Sequence, residues 1–208
     1  MAVILCYGDS NTHGTPPMRN LADQGRHAYG RRWPDVMAGH LGPDHRVIDE
    51  GLPGRTTVHD DVIEGGMRNG LTTLSAVLHS HRPIDVLVLM LGTNDLKHRF
   101  SVTAFEIARS VERLVLAARA EGVVNDIVIV APVPVREEGS LREVFSGAET
   151  RQAGLSEFLA DCAARLGCGF FDAGQHAQVS PDDGVHLTEA AHAAIGAALA
   201  DVIRARLL

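Results

Sequence analysis

The chain has 208 residues, 45% of them hydrophobic but only 4% aromatic, with a formal net charge of −7. That length and apolar share support a full core packed by aliphatic side chains, and the acidic balance argues against nucleic acid as a main partner. Three cysteines without paired spacing, Cys6, Cys162 and Cys168, give no metal motif; no metal or cofactor is expected, and a reduced compartment, the cytoplasm by default, is the expected location.

The first apolar run, residues 3–7, reads as a buried strand that opens after Gly8 into the polar cluster Asp9-Ser10-Asn11-Thr12. It is too short for a signal segment or a membrane span, and no basic segment precedes it, so no membrane partner is expected. Residues 15–32 carry Pro16-Pro17, Gly25 and Gly30 without periodicity and read as a long surface loop of the kind that is more often functional than idle. A helix begins near Trp33-Pro34, with proline suited to a first turn, and Gly42-Pro43 stops it. Residues 46–49 form a short second strand that opens into a loop containing Gly51, Gly54 and Arg55. Residues 69–81 read as a helix. Residues 84–91 are nearly all apolar and read as a central parallel strand buried on both faces. It ends in Gly92-Thr93-Asn94-Asp95.

Thr103 and Glu106 form a capping box for the next helix, and Ile107, Val111, Leu114 and Ala118 make its apolar stripe. Residues 126–131 are a fourth strand, residues 136–147 a charged, irregular segment expected to be a mobile flap, and residues 149–166 a single helix with Phe158 among its inward side chains. Residues 169–172 give a fifth strand. After Asp182-Asp183-Gly184-Val185-His186, Thr188 caps the last helix. Strands and helices alternate five times, so the chain reads as one α/β domain: a three-layer α/β/α sandwich on a five-stranded parallel sheet of order 2-1-3-4-5. In that topology the loops carrying Ser10, Gly54, Asn94 and the Asp183/His186 segment open on the same sheet edge.

A serine hydroxyl needs a base to act as a nucleophile. His186 lies three residues after Asp183, a spacing at which one short turn can present both side chains to the same side, the carboxylate orienting the imidazole. An oxyanion needs preset donors, and the candidates are the backbone N–H groups of Ser10 and Gly54 and the side-chain amide of Asn94. Each residue also has an ordinary reading: Gly54 and Asn94 as turn residues, Asp182 and Asp183 as solvated loop residues, and His186 as one of eleven histidines. Four such signals at four strand ends on one edge shift the balance toward a site.

Gly8-Asp9-Ser10, Gly54, Gly92-Thr93-Asn94-Asp95 and Asp183-Gly184-Val185-His186 resemble, in order, the sequence blocks of the SGNH or GDSL-type hydrolases, over nearly the whole chain. The resemblance implies Ser10 as nucleophile, His186 as base and Asp183 as its orienting acid, with Ser10, Gly54 and Asn94 forming the oxyanion hole. The text around Gly51 to Thr57 and Met90 to Asp95 is similar to the bacterial arylesterase and acyltransferase subgroup, which implies short-chain acyl esters as substrates, acyl transfer beside hydrolysis as an open question, and a homo-oligomer. Where that family usually has leucine after the serine, this chain has Asn11, and where aryl-ester relatives carry tryptophan it has His13. Both are expected to touch substrate and make the mouth of the site more polar, so an O-acetyl esterase acting on carbohydrate or other polar-alcohol esters stands as an alternative.

Three rivals come from other classes. A flavodoxin-like flavin or nucleotide module fits the strand order, but the chain has no Walker lysine or dinucleotide glycine fingerprint and few aromatics. A metal hydrolase built on His59-Asp60-Asp61 lacks a paired helical metal motif. A catalytically dead scaffold is weakened by the presence of every residue that the chemistry needs.

Overall fold

A strand made almost wholly of apolar residues is stable only where both of its faces are covered. In the computed structural model, which describes residues 1–207, β3 (Ile84–Met90) lies mid-sheet with just such cover. Its neighbours are β1 (Ala2–Gly8) and β4 (Val124–Ala131), with β2 (His45–Gly51) and β5 (Gly169–Asp172) at the edges, all parallel in the order β2-β1-β3-β4-β5. Strand side chains alternate between faces. Leu5, Tyr7, Leu87, Leu89, Ile127 and Ile129 therefore join one core layer, and Ile4, Cys6, Val86, Val88, Val128 and Val130 the other.

The first layer is closed by α3 (Gly70–His81), α4 (Ala104–Ala120) and α6 (Leu155–Leu166), and the second by α2 (Trp33–Leu41) and α7 (Glu189–Arg206). Each fully buried leucine, such as Leu87 or Leu199, contributes about 1.5–3 kcal/mol through removal from water. Helix starts follow local chemistry. Asn69 accepts from the Leu71 and Thr72 amides, Thr103 and Glu106 form a reciprocal capping box, and Thr188 accepts from the Ala191 amide. Two single-turn α-helices, α1 (Ser10–His13) and α5 (Ala148–Arg151), and three 3-10 turns, Asn94–Leu96, Gly139–Leu141 and Ala173–Gln175, complete the described elements.

Three expectations are corrected. The single helix over residues 149–166 is two helices, α5 and α6, separated at Gly154, whose φ of +81° takes the backbone out of the right-handed helical region. Phe158 does not face the core: it is 41% exposed and meets Phe105 of α4 edge-on across the surface. Residues 136–147 are not a loose flap. Leu141 and Phe145 are buried in the core, the Arg136 amide donates to Gly184 O, and Ser140 donates from its amide to Asp182 O and from its hydroxyl to Met18 O. The charged surface composition of that segment hides its two inward anchors. Smaller differences concern strand ends: β2 extends to Gly51 and β4 begins at Val124.

The carboxyl ends of β1, β2 and β3 and the segment after β5 open on one edge. Such an edge is where α/β sheets hold their ligands.

Candidate active site

β1 is hydrogen-bonded on both sides and buried through Gly8, so the chain leaves the sheet at a fixed point. Asp9 then caps α1, its carboxylate accepting from the Asn11 amide at 2.9 Å, which places Ser10 as the first helical residue. Gly14 ends the turn with φ +86°. Across the edge, Gly184 adopts φ +74° and packs so closely that a β-carbon there would lie 2.1 Å from Arg136 O. This tight turn brings Asp183 and His186 together.

The three side chains form one hydrogen-bonded line. Ser10 Oγ lies 3.1 Å from His186 Nε2, and His186 Nδ1 lies 2.6 Å from Asp183 Oδ2. All three residues are at least 95% buried. Burial alone would raise the Asp183 carboxyl, but hydrogen bonds from the His186 side chain and amide and from the Met18 amide, with the charge of the imidazole, hold it below the usual carboxylate value. An ionised carboxylate only accepts. Nδ1 therefore carries a proton, and whenever Nε2 is free of one its lone pair faces the Ser10 hydroxyl, the arrangement a general base needs. Asp182, by contrast, is exposed: its backbone carbonyl accepts from the Ser140 amide and its amide donates to Ser180 Oγ, and its side chain takes no part in the line.

Gly54 has φ +80°, a conformation that glycine adopts freely and other residues rarely do. The backbone amides of Ser10 and Gly54 have no acceptor among the described residues. Asn94 Nδ2 donates to Arg55 O at 3.1 Å and has a longer contact of 3.4 Å with Asp9 Oδ2. Ser10, Gly54 and Asn94 line the same cleft as His186, a cleft of about 970 Å³.

Of the two residues expected to touch substrate, only His13 lines the cleft. Burial, with the nearby Arg26 and Arg32 charges, lowers the pKa of its imidazole. The buried Asn11 side chain instead points across the edge and donates to Val185 O at 3.1 Å, tying the α1 turn to the segment before His186. A polar residue at this position can hold a backbone carbonyl, and from sequence alone that is indistinguishable from facing a ligand.

Several contributors lie outside the expected set. Asp95 accepts from the Thr57 amide and hydroxyl and so fixes the loop that carries Gly54. Arg55 lies over the Tyr7 ring, 4.0 Å from its centroid, and donates to Gly8 O and Glu50 O, joining the ends of β1 and β2. Burial raises Asp9 and Asp95 to about 6 each, despite the hydrogen bonds that favour their charged forms. The N-capping rule could have singled out Asp9. Nothing local marks Met18, whose amide reaches Asp183 Oδ2 at 2.7 Å from within the long loop.

The His59-Asp60-Asp61 run does not converge. His59 stacks on Phe100, Asp60 accepts from the Asn69 side chain, and Asp61 is enclosed by Lys97 and Arg99. Among the described residues no group of three His, Cys, Asp or Glu side chains is placed to hold a metal ion, and no helix is long and apolar enough to cross a membrane.

The profile of the GDSL-like lipase/acylhydrolase family matches residues 6–194. Among solved structures, the aryl esterase of M. smegmatis is 35% identical with a TM-score of 0.93, covering 99% of each chain. A carbohydrate acetylesterase from Sinorhizobium meliloti is 34% identical with a TM-score of 0.94, again over 99% of each chain. A carbohydrate acetylesterase family member from the same organism is 41% identical with a TM-score of 0.93, over 100% of this chain and 99% of the other. No curated protein sequence matches this chain significantly.

Proposed function

The chain belongs to the GDSL-like lipase/acylhydrolase family and is an ester hydrolase, and from that premise we propose that it is a serine esterase cleaving short-chain acyl esters through an acyl-enzyme intermediate. The observation that carries the reading is the line from Ser10 Oγ through His186 to Asp183, with contacts of 3.1 and 2.6 Å, opening on the cleft.

Ser10 Oγ attacks the ester carbonyl carbon while His186 Nε2 takes its proton. Asp183 stays ionised and stabilises the imidazolium. The carbonyl oxygen becomes an oxyanion held by the Ser10 and Gly54 amides and by Asn94 Nδ2, whose second hydrogen has only the long Asp9 contact. Each such donor is worth about 10²–10³ in rate. The tetrahedral adduct collapses, His186 returns the proton to the leaving alcohol, and an acyl group remains on Ser10. Water deprotonated by the same imidazole attacks the acyl carbon and releases the carboxylic acid, restoring the serine. The Met18, Leu141, Val144 and Phe145 side chains in the lining receive a small acyl or aryl group.

A second reading, an O-acetyl esterase for carbohydrate or other polar-alcohol esters, is favoured by His13, Arg26 and Gln24 in the same lining and by the likeness to two carbohydrate acetylesterases. A panel of acetyl, butyryl and long-chain esters of aryl alcohols and of sugars, assayed with wild type and Ser10→Ala, tests both. Short esters are cleaved well by wild type only. Faster turnover of long chains, or full activity in Ser10→Ala, overturns the proposal.

A further inference from the structure

The molecule is acidic, with a net charge of −7, yet its active-site cleft is not. Four cationic side chains, Arg26, Arg68, Lys97 and Arg99, enter the lining against two carboxylates, Asp23 and Glu64. Three of the four cations are already engaged. Arg26 pairs with Asp49, while Lys97 and Arg99 both pair with Asp61 and Glu64. Arg68 has no ion-pair partner among the described residues, and its Nε is buried without a hydrogen-bond acceptor. In its place in the cleft the residue is only partly buried, so its terminal nitrogens remain accessible.

That place is next to the oxyanion site. A β-carbon built on Gly54 would lie 3.2 Å from Arg68 Nε. Glu64 reaches the same point, its Oε2 lying 2.6 Å from it, but its charge is matched by Lys97 and Arg99, which both donate to its Oε1. The guanidinium therefore presents a fork of donors, matched to a carboxylate, within one residue's width of the amide expected to hold the ester carbonyl.

We propose that Arg68 is a specificity residue and that the preferred substrates are esters bearing a carboxylate, which the guanidinium binds while the ester carbonyl occupies the Gly54 site. The inference rests on the serine-esterase reading for the location of the carbonyl. The carboxylate can belong to the acyl part or to the alcohol part, and two substrate pairs separate these: the 4-nitrophenyl half-ester of succinate against 4-nitrophenyl butyrate, and 4-acetoxybenzoate against its neutral amide.

The measured quantity is the ratio of kcat/KM for the charged ester to that for its neutral partner. In one pair the wild-type ratio exceeds one by about tenfold, through a lower KM, the effect of about 1.4 kcal/mol of binding. Arg68→Gln brings that ratio to about one, Arg68→Lys keeps part of it, Arg68→Glu inverts it, and added salt weakens it. A wild-type ratio of one in both pairs overturns the proposal, as does a ratio unchanged in Arg68→Gln. Binding of 4-acetoxybenzoate and of hemisuccinate to the Ser10→Ala protein, followed by NMR titration, reads the same preference without turnover. If the wild type turns over none of the four esters, the serine-esterase reading fails, and the titration still decides the role of Arg68.

Discussion

Asp183 is fully buried and spends its two oxygens on four donors: the Val185 and His186 amides on Oδ1, and the Met18 amide and His186 Nδ1 on Oδ2. Replacing it with asparagine keeps the shape, but it puts an N–H₂ group where only acceptors fit and removes the charge facing the imidazole. Asp183→Asn is expected to lower kcat by about 10³–10⁴-fold, because His186 is then held in the wrong tautomer. Asp182→Asn is expected to stay within a few-fold of wild type, since its side chain is exposed. Steady-state kinetics of the two variants with one short aryl ester settle the assignment, and a crippled Asp182→Asn would shift it by one residue. The Asp183-to-His186 pairing was legible in the sequence because a three-residue spacing is a local constraint. Asn11 was not: its carbonyl partner, Val185, lies 174 positions away, and only the closed fold reveals it.

At the level of elements, strands were read well wherever burial is two-sided, as in β3, because continuous apolar runs have few other stable placements. The break between α5 and α6 was missed because Gly154 interrupts an otherwise good helical pattern, and an isolated glycine does not announce a positive φ. The packing of α7 on α2 makes a further prediction. His192 of α7 is fully buried, and its Nδ1 accepts from the Trp33 amide at 3.2 Å. Burial, aided by the charges of His27, Arg32 and His186, pushes its pKa down to about 3. As pH falls below about 6.5 the unfolded chain takes up a proton on this imidazole that the native state refuses until about 3. Stability is therefore lost progressively across that window, by up to about 1.4 kcal/mol per pH unit. His192→Asn retains an acceptor but no titrating group. Urea unfolding of both proteins between pH 6 and 4 should give a shallower decline for the variant, whereas parallel declines would mean that His192 is protonated in the native state.

For the whole molecule, the sheet order is what makes the site. Ser10, Gly54, Asn94 and His186 come from four separate stretches of chain, and a parallel sheet of order β2-β1-β3-β4-β5 delivers their loops to one edge. The alternation of strands and helices made that convergence legible in advance. The wall of the cleft was less so, because Leu141 and Phe145 are anchors inside a segment whose composition is that of a solvated loop. The central claim, that Ser10 is the nucleophile, is tested most directly by treating the protein with a serine-directed aryl phosphonate and mapping the product by mass spectrometry. One phosphonyl group per chain, on the peptide and residue of Ser10, is the expected result. An adduct on another residue with Ser10 unmodified would contradict the account.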